Sequence, residues 1–288
     1  MTTLPADHAP GPAAVNPLAL VRLLQWTSPI LPVGGFSYSQ GLESAVESGM
    51  VRDAASAGRW IRDVLDGPVG GVEAAFLARF LTLWQDPTTT SYASGVHDGR
   101  ASAALPGEPE AHLRRLDQQF QGSRESAQLL AETRQMGWSL LSLVHGLPPT
   151  GLGLQWPAIA HLLKQLAERH QPSYLLVWSG LATACAVPAG DAIIGWLWSW
   201  LENQVMAALK TVPLGQSAGQ TLLLDLAAGL PDLAQQALLA AGSAAIAAET
   251  AAIGFNPGWL RHGPGNYAPG FGLACAQHET QYSRLFRS

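Results

Sequence analysis

Charge is what this chain has least of. Acidic and basic residues make up 13% of 288 residues, about half the usual share of roughly 25%. Lysine is nearly missing: of 16 basic residues, only Lys164 and Lys210 are lysines. The net charge is −5 and no basic cluster occurs, which argues against a nucleic-acid binder. Cysteine is scarce too. Cys185 and Cys275 form no disulfide framework and no zinc spacing, as expected of a reducing cytoplasm. No stretch alternates with period two, and valine and isoleucine are sparse beside leucine and alanine, so strands are not expected. Met1 to Pro17 has neither a basic n-region nor an apolar h-region, so no secretory leader is expected.

Catalytic signatures are absent as well. Gly34-Gly35-Phe36-Ser37 precedes a helix, whose N-terminus could face an anion, but no G-x-x-x-x-G-K-[ST] run exists and neither lysine lies near a glycine loop. Ser37 and Ser39 do not sit in G-x-S-x-G. None of the eight histidines pairs as H-x-H or H-x-x-x-H, so no preformed metal site is read. His278 beside Glu279 reads either as a weak exposed ligand pair or as a hydrogen bonder facing a partner.

What is there is apolar and helical. Hydrophobic residues reach 48%, and so much apolar surface must go into a large core or against a partner. Asn16-Pro17 opens a helix, with asparagine at N-cap and proline at N1. Ser37-x-x-Gln40 reads as a capping box for the next, and Gly49 as its stop. Further helices are expected over 54–65, 72–84, 110–120, 123–145, 157–170, 173–186, 192–210, 216–228 and 233–253. The fold class is therefore all-α, a single-domain bundle of about ten helices. Tyr174 to Gly190 and Ala192 to Leu201 are uncharged, but Pro188, Gly190 and Asp191 divide them, so two buried helices are expected rather than a membrane span. Trp196 and Trp200 share a helical face that Trp198 does not, and Glu202, Asn203 and Gln204 read as that helix's wet side.

The organisation follows. Residues 1–15 form a tail, 16–253 the helical domain, and 86–109, rich in Thr, Ser, Ala, Gly and Pro, a flexible insertion. Residues 254–288 combine glycine and proline with aromatics, a composition expected to order against a partner.

Two stretches carry more identity than filler would: Ser28-Pro29-Ile30-Leu31-Pro32-Val33-Gly34-Gly35-Phe36-Ser37-Tyr38-Ser39-Gln40-Gly41-Leu42-Glu43, and His278-Glu279-Thr280-Gln281-Tyr282-Ser283-Arg284-Leu285-Phe286-Arg287-Ser288. With Thr133-Arg134-Gln135-Met136-Gly137 and Pro213-Leu214-Gly215-Gln216-x-x-Gly219-Gln220 between them, the chain resembles the urease accessory protein UreF family. It departs from the family pattern at 128–132, in the insertion, and in its longer glycine-rich stretch before His278.

The resemblance implies a cytoplasmic all-α homodimer that is not an enzyme. It implies binding to UreD (also called UreH) and to the GTPase UreG, in the complex that matures the nickel centre of urease. No cofactor is expected in the chain itself, since nickel and GTP are handled by partner proteins. The partner-binding residues carried over are Phe36, Ser37, Tyr38, Gln40, Glu43, Gln216, Gln220, His278, Glu279, Tyr282, Arg284, Leu285, Phe286 and Arg287. In a helical turn Tyr282, Leu285 and Phe286 would share one side, and a hydrogen bond from Arg284 to Tyr38 would fold the tail onto the first motif. Gln216 and Gln220 would either satisfy buried backbone groups or face a partner or a polar passage. The alternative is a GTPase-activating protein for UreG supplying Arg284, Arg287 or Arg124 in trans.

Overall fold

The computed structural model describes residues 16–89, 108–251 and 268–287. The N-terminal tail, most of the expected insertion and the first part of the 254–288 segment, up to residue 267, lie outside the described residues. Helix α1 (Pro17–Trp26) starts as expected, with the Asn16 side chain accepting from the Leu18 amide and proline at N1. A single turn of 3₁₀ helix, Gly35–Ser37, leads to the short α2 (Leu42–Glu47). The expected capping box is not formed. The cap of α2 is Gly41, in the left-handed region at φ 79°, and it is the Ser39 hydroxyl, not Ser37, that faces the Glu43 amide. Gly49, at φ 76°, turns the chain away after α2.

Helix α3 (Ala54–Val64) begins on a capping box between Asp53 and Ser56. It runs into a π-helical stretch, Leu65–Glu73, and then α4 (Ala74–Gln85). Gly67, Pro68, Gly70 and Gly71 explain the loosened winding: proline lacks a donor, and glycine tolerates the altered backbone. After α5 (Glu108–Gly122) come α6 (Ala127–His145) and α7 (Trp156–Ala167). Then follow α8 (Tyr174–Ala184), α9 (Ala189–Thr211), α10 (Gln216–Ala227), α11 (Leu230–Ala251) and α12 (Pro269–His278). No strand occurs among the described residues.

Helix α8 is the centre of the bundle. Leu175 through Ala184 are buried without a break, enclosed by α4, α6 and α7. Its uncharged sequence thus marks a core helix, and a turn separates it from α9. Gly137 lets α6 lie against the chain entering α8, where a Cβ would overlap the Pro172 carbonyl oxygen. Three buried tryptophans around α8 find polar partners. Trp84 Nε1 donates to Ser179 Oγ (3.0 Å), Trp178 Nε1 to the Trp26 carbonyl (3.2 Å) and Trp26 Nε1 to Cys185 Sγ (3.4 Å). Such pairing removes the penalty of burying an indole N–H. Asp117, fully buried, gathers His170 Nε2 (2.9 Å), Gln121 Nε2 (2.8 Å) and the Ser173 amide (3.1 Å), tying α5 to the α7–α8 loop.

Gln216–Gly242 is long and apolar enough to cross a membrane by length and composition. It is two helices, α10 and α11, turning at Ala228–Gly229, and both pack on α9.

Candidate functional site

The two terminal motifs, 235 residues apart, meet. Helix α12 packs on α2 and α6, burying Phe271, Ala274, Cys275 and His278. Gly41 is required at this crossing, since a Cβ there would stand 3.1 Å from Cys275 Sγ. Burial, reinforced by Glu125 and Glu132, pushes the Cys275 thiol pKa well up, so it is held as the neutral thiol.

Glu43 is the hub of the contact. Its Oε2 faces His278 Nε2 (3.1 Å) and accepts from the Phe286 amide (3.1 Å), while its Oε1 accepts from the Leu285 amide (2.6 Å). His278 Nδ1 lies 3.0 Å from Gln128 Oε1, and Glu279 Oε1 accepts from the Gln128 amide at 3.2 Å. The Arg287 amide donates to the Ser37 carbonyl (2.6 Å). Phe286 inserts beneath Lys210, whose Nζ stands 5.5 Å from the ring centre.

Several expectations change at this point. His278 is fully buried, so it presents no surface to a partner and no exposed ligand pair. Residues 281–287 are not helical. Phe286 turns inward at 7% exposure while Leu285 stays 74% exposed and Tyr282 is fully exposed, so the three side chains do not share one side. Tyr38 bonds to the Arg287 side chain instead of Arg284. Burial and then Glu132 raise the Tyr38 pKa, against the lowering effect of Arg287.

The first motif is wired inward as well. Gln40 stands in the left-handed region at φ 49°, unusual for a side-chain-bearing residue. It is held there from both ends: its Oε1 accepts from Trp200 Nε1 (2.5 Å) and its Nε2 donates to Glu132 Oε1 (2.6 Å). Asn203 Nδ2 donates to the Tyr38 carbonyl at 3.0 Å. Below lies a cavity of about 90 Å³ lined by Gln40, Glu73, Arg124, Glu132, Trp200 and Asn203, with Phe36 at its edge. Arg124 pairs with Glu73 at 2.5 Å, both side chains nearly excluded from solvent. Burial opposes the Arg124 charge, but Glu73, Glu125 and Glu132 outweigh it and hold the guanidinium firmly protonated.

Gln216 and Gln220 make none of these contacts. Both are exposed on α10, so they do not satisfy buried backbone groups. Trp196 and Trp200 are buried and Trp198 is half-exposed, as the helical face requires, but Gln204 is buried rather than wet. Sequence reasoning missed Gln128, Glu132, Asn203 and Lys210. The i, i+4 spacing of Gln128 and Glu132, which puts both on one face of α6, is the only signal of them. Among the described residues, no three His, Cys, Asp or Glu side chains form a group able to hold a metal ion.

Comparison with known proteins gives the same answer as the motifs. The family model UreF matches residues 51–227. The chain is 44% identical over 271 residues to the urease accessory protein UreF of Dechloromonas aromatica (strain RCB), covering 94% of this chain and 98% of that protein. It is 42% identical over 271 residues to the UreF of Azoarcus sp. (strain BH72), covering 94% and 96%. The UreF of Pseudomonas fluorescens (strain SBW25) is 40% identical over 267 residues, covering 92% and 97%. With terminal motifs joined in one composite face on an all-α bundle, and with identity spanning nearly the whole chain, this protein belongs to the UreF family of urease accessory proteins.

Proposed function

We propose that the chain is a non-catalytic scaffold of the cytoplasm that bridges UreD/UreH and the GTPase UreG to apo-urease during nickel insertion. Nickel is cargo and GTP is hydrolysed elsewhere, so both are handled by the partners. The observation that carries this reading is the composite face at the C-terminus. Phe286 is spent on the chain's own groove, yet Tyr282 and Leu285 stand exposed in the same segment together with Arg284 and Arg287, and Leu273 is exposed on the helix that precedes it. Exposed aromatic and leucine side chains flanked by planar guanidinium forks are the composition of a protein-binding hot spot. We assign this face to UreD/UreH.

The exposed Gln216 and Gln220, on α10, a helix that contributes none of the contacts described for that face, suit a second partner and are assigned to UreG. A second copy of the chain is assigned to α1, which leaves Leu18, Leu20, Val21 and Leu24 exposed.

The rival reading, an arginine supplied in trans to UreG, loses one candidate. Arg124 is buried against Glu73 and cannot reach a nucleotide on another protein. Arg284 and Arg287 remain, and GTP hydrolysis by the UreG homologue with each changed singly separates the two readings.

The direct test is capture of the UreD homologue by the tagged chain. Tyr282→Ala and Arg284→Ala are each expected to weaken it about 30-fold, the scale of a hot-spot residue. Unchanged affinity in both variants would refute the docking face.

A further inference from the structure

Glu43 and His278 sit inside the proposed UreD/UreH face, yet neither can touch a partner: Glu43 is nearly buried and His278 fully so. Their role has to be internal. Beyond α12 the chain runs from Glu279 to Arg287 without helix. Ordering such a segment is opposed by backbone entropy at every residue, and Phe286 is the one side chain in it that is buried. What holds the segment is therefore mainly hydrogen bonding, and the bonds at Leu285 and Phe286, beside the one buried side chain, converge on one carboxylate. Glu43 accepts from the Leu285 and Phe286 amides and meets the His278 ring. The Glu279, Thr280 and Gln281 amides only close the turn after α12, on the Ala276, Gln277 and His278 carbonyls. Outside that turn, the segment's remaining ties are Glu279 to the Gln128 amide, the Arg287 amide to the Ser37 carbonyl and the Arg287 side chain to Tyr38.

We infer that Glu43 is a positioning residue whose carboxylate latches the C-terminal tail, setting whether Tyr282, Arg284 and Leu285 are presented as one face or released. The inference rests on the reading of that face as a docking surface. The physical reason is charge. A carboxylate buried at a helix start can hold two backbone N–H groups and an imidazole far better than a neutral acceptor can, because charge-assisted bonds are roughly twice as strong. With the latch closed, a partner meets a preformed surface. With it open, the partner must order the tail itself, and apparent affinity falls by the fraction of chains that are competent.

Amide hydrogen exchange read residue by residue tests this in the full-length protein. In the unmodified chain the Leu285 and Phe286 amides should exchange more slowly than that of Ser283. Equal rates overturn the inference, even if every variant fails to fold. In Glu43→Gln the same two amides should exchange roughly 10- to 100-fold faster, the range expected for losing a hydrogen bond to a charged group. Protection within α8 and the melting temperature should hold. If tail exchange is unchanged in Glu43→Gln, the latch does not exist, whatever happens to partner binding. If the tail is released and the UreD homologue binds as tightly as before, the latch stands and the docking-face reading fails.

Discussion

Two residues show how much of this site is settled by single backbone positions. Gln40 adopts a left-handed conformation that costs of order 1–3 kcal/mol for a non-glycine residue. Its bonds to Trp200 and Glu132 offset that cost and explain why a glycine, though easier to bend, would not serve. Gly137 is the reverse case, where the absent side chain is what matters. A Cβ would overlap the Pro172 carbonyl and stand 2.7 Å from the Ser173 carbonyl carbon, both backbone atoms that cannot rotate away. Gly137→Ala is therefore expected to destabilise the fold by at least about 1–3 kcal/mol, the usual range for overpacking. Chemical denaturation checks it, and a stability equal to wild type would show that α6 can slide. At this scale the sequence was only half legible. Its motifs marked Gln40, Glu43 and His278 as special, because glycine, proline and aromatics cluster there. It could not show that Glu43 and His278 serve each other, since nothing in a linear pattern pairs residues 235 apart.

Among the elements, long apolar helices were readable and the exceptions have physical causes. Helix α12 opens with Pro269-Gly270-Phe271-Gly272, a poor helix former by propensity. It exists because α2 and α6 receive its buried face, and packing rather than propensity supplies most helical stability. The π-helical stretch between α3 and α4 was read as a gap and an early helix start. Its last residue, Glu73, lands on Arg124 just beyond α5, and the pair joins two elements that local sequence keeps apart. Arg124→Met should therefore cost about 3–5 kcal/mol, because it strands a buried carboxylate. Burial already raises the Glu73 pKa against the lowering effect of Arg124; with the guanidinium gone, burial and then Glu125 push it up further. A carboxyl whose folded pKa is raised destabilises the fold above that pKa and stops doing so once protonated. The penalty should accordingly shrink as pH falls through the raised Glu73 pKa. Urea melts across pH test this, and a penalty independent of pH would mean that Glu73 finds another cation. The double variant Arg124→Met, Glu73→Leu should recover most of the loss at neutral pH.

At the scale of the molecule, low charge content has to be reconciled with a core that is already complete. The bundle buries Trp26, Trp84, Trp156, Trp178, Trp196 and Trp200 and nearly all of α8, yet α1 keeps Leu18, Leu20, Val21 and Leu24 outside. Only Ala19 and Trp26 of that helix are buried, while Leu23 leans on Gly195 of α9 and half-exposed Trp198 follows one turn later. Fully covering a leucine or valine stabilises by about 1.5–3 kcal/mol, so four of them left in water favour association strongly. A two-fold pairing through α1 covers each copy's patch with the same patch of the other, the self-complementary arrangement most homodimers use. The polar residues of the helix, Arg22 and Gln25, bond to each other at 2.8 Å. Val21→Asp with Leu24→Asp places two carboxylates per copy at the centre of that contact, where desolvation and like-charge repulsion both oppose pairing. Light scattering on the purified chain should give twice the chain mass for wild type and a single chain mass for the double variant, with unchanged helical circular dichroism. A wild type that remains monomeric at micromolar concentration, or a double variant that remains dimeric, would remove α1 from the interface and leave its apolar face to one of the urease partners.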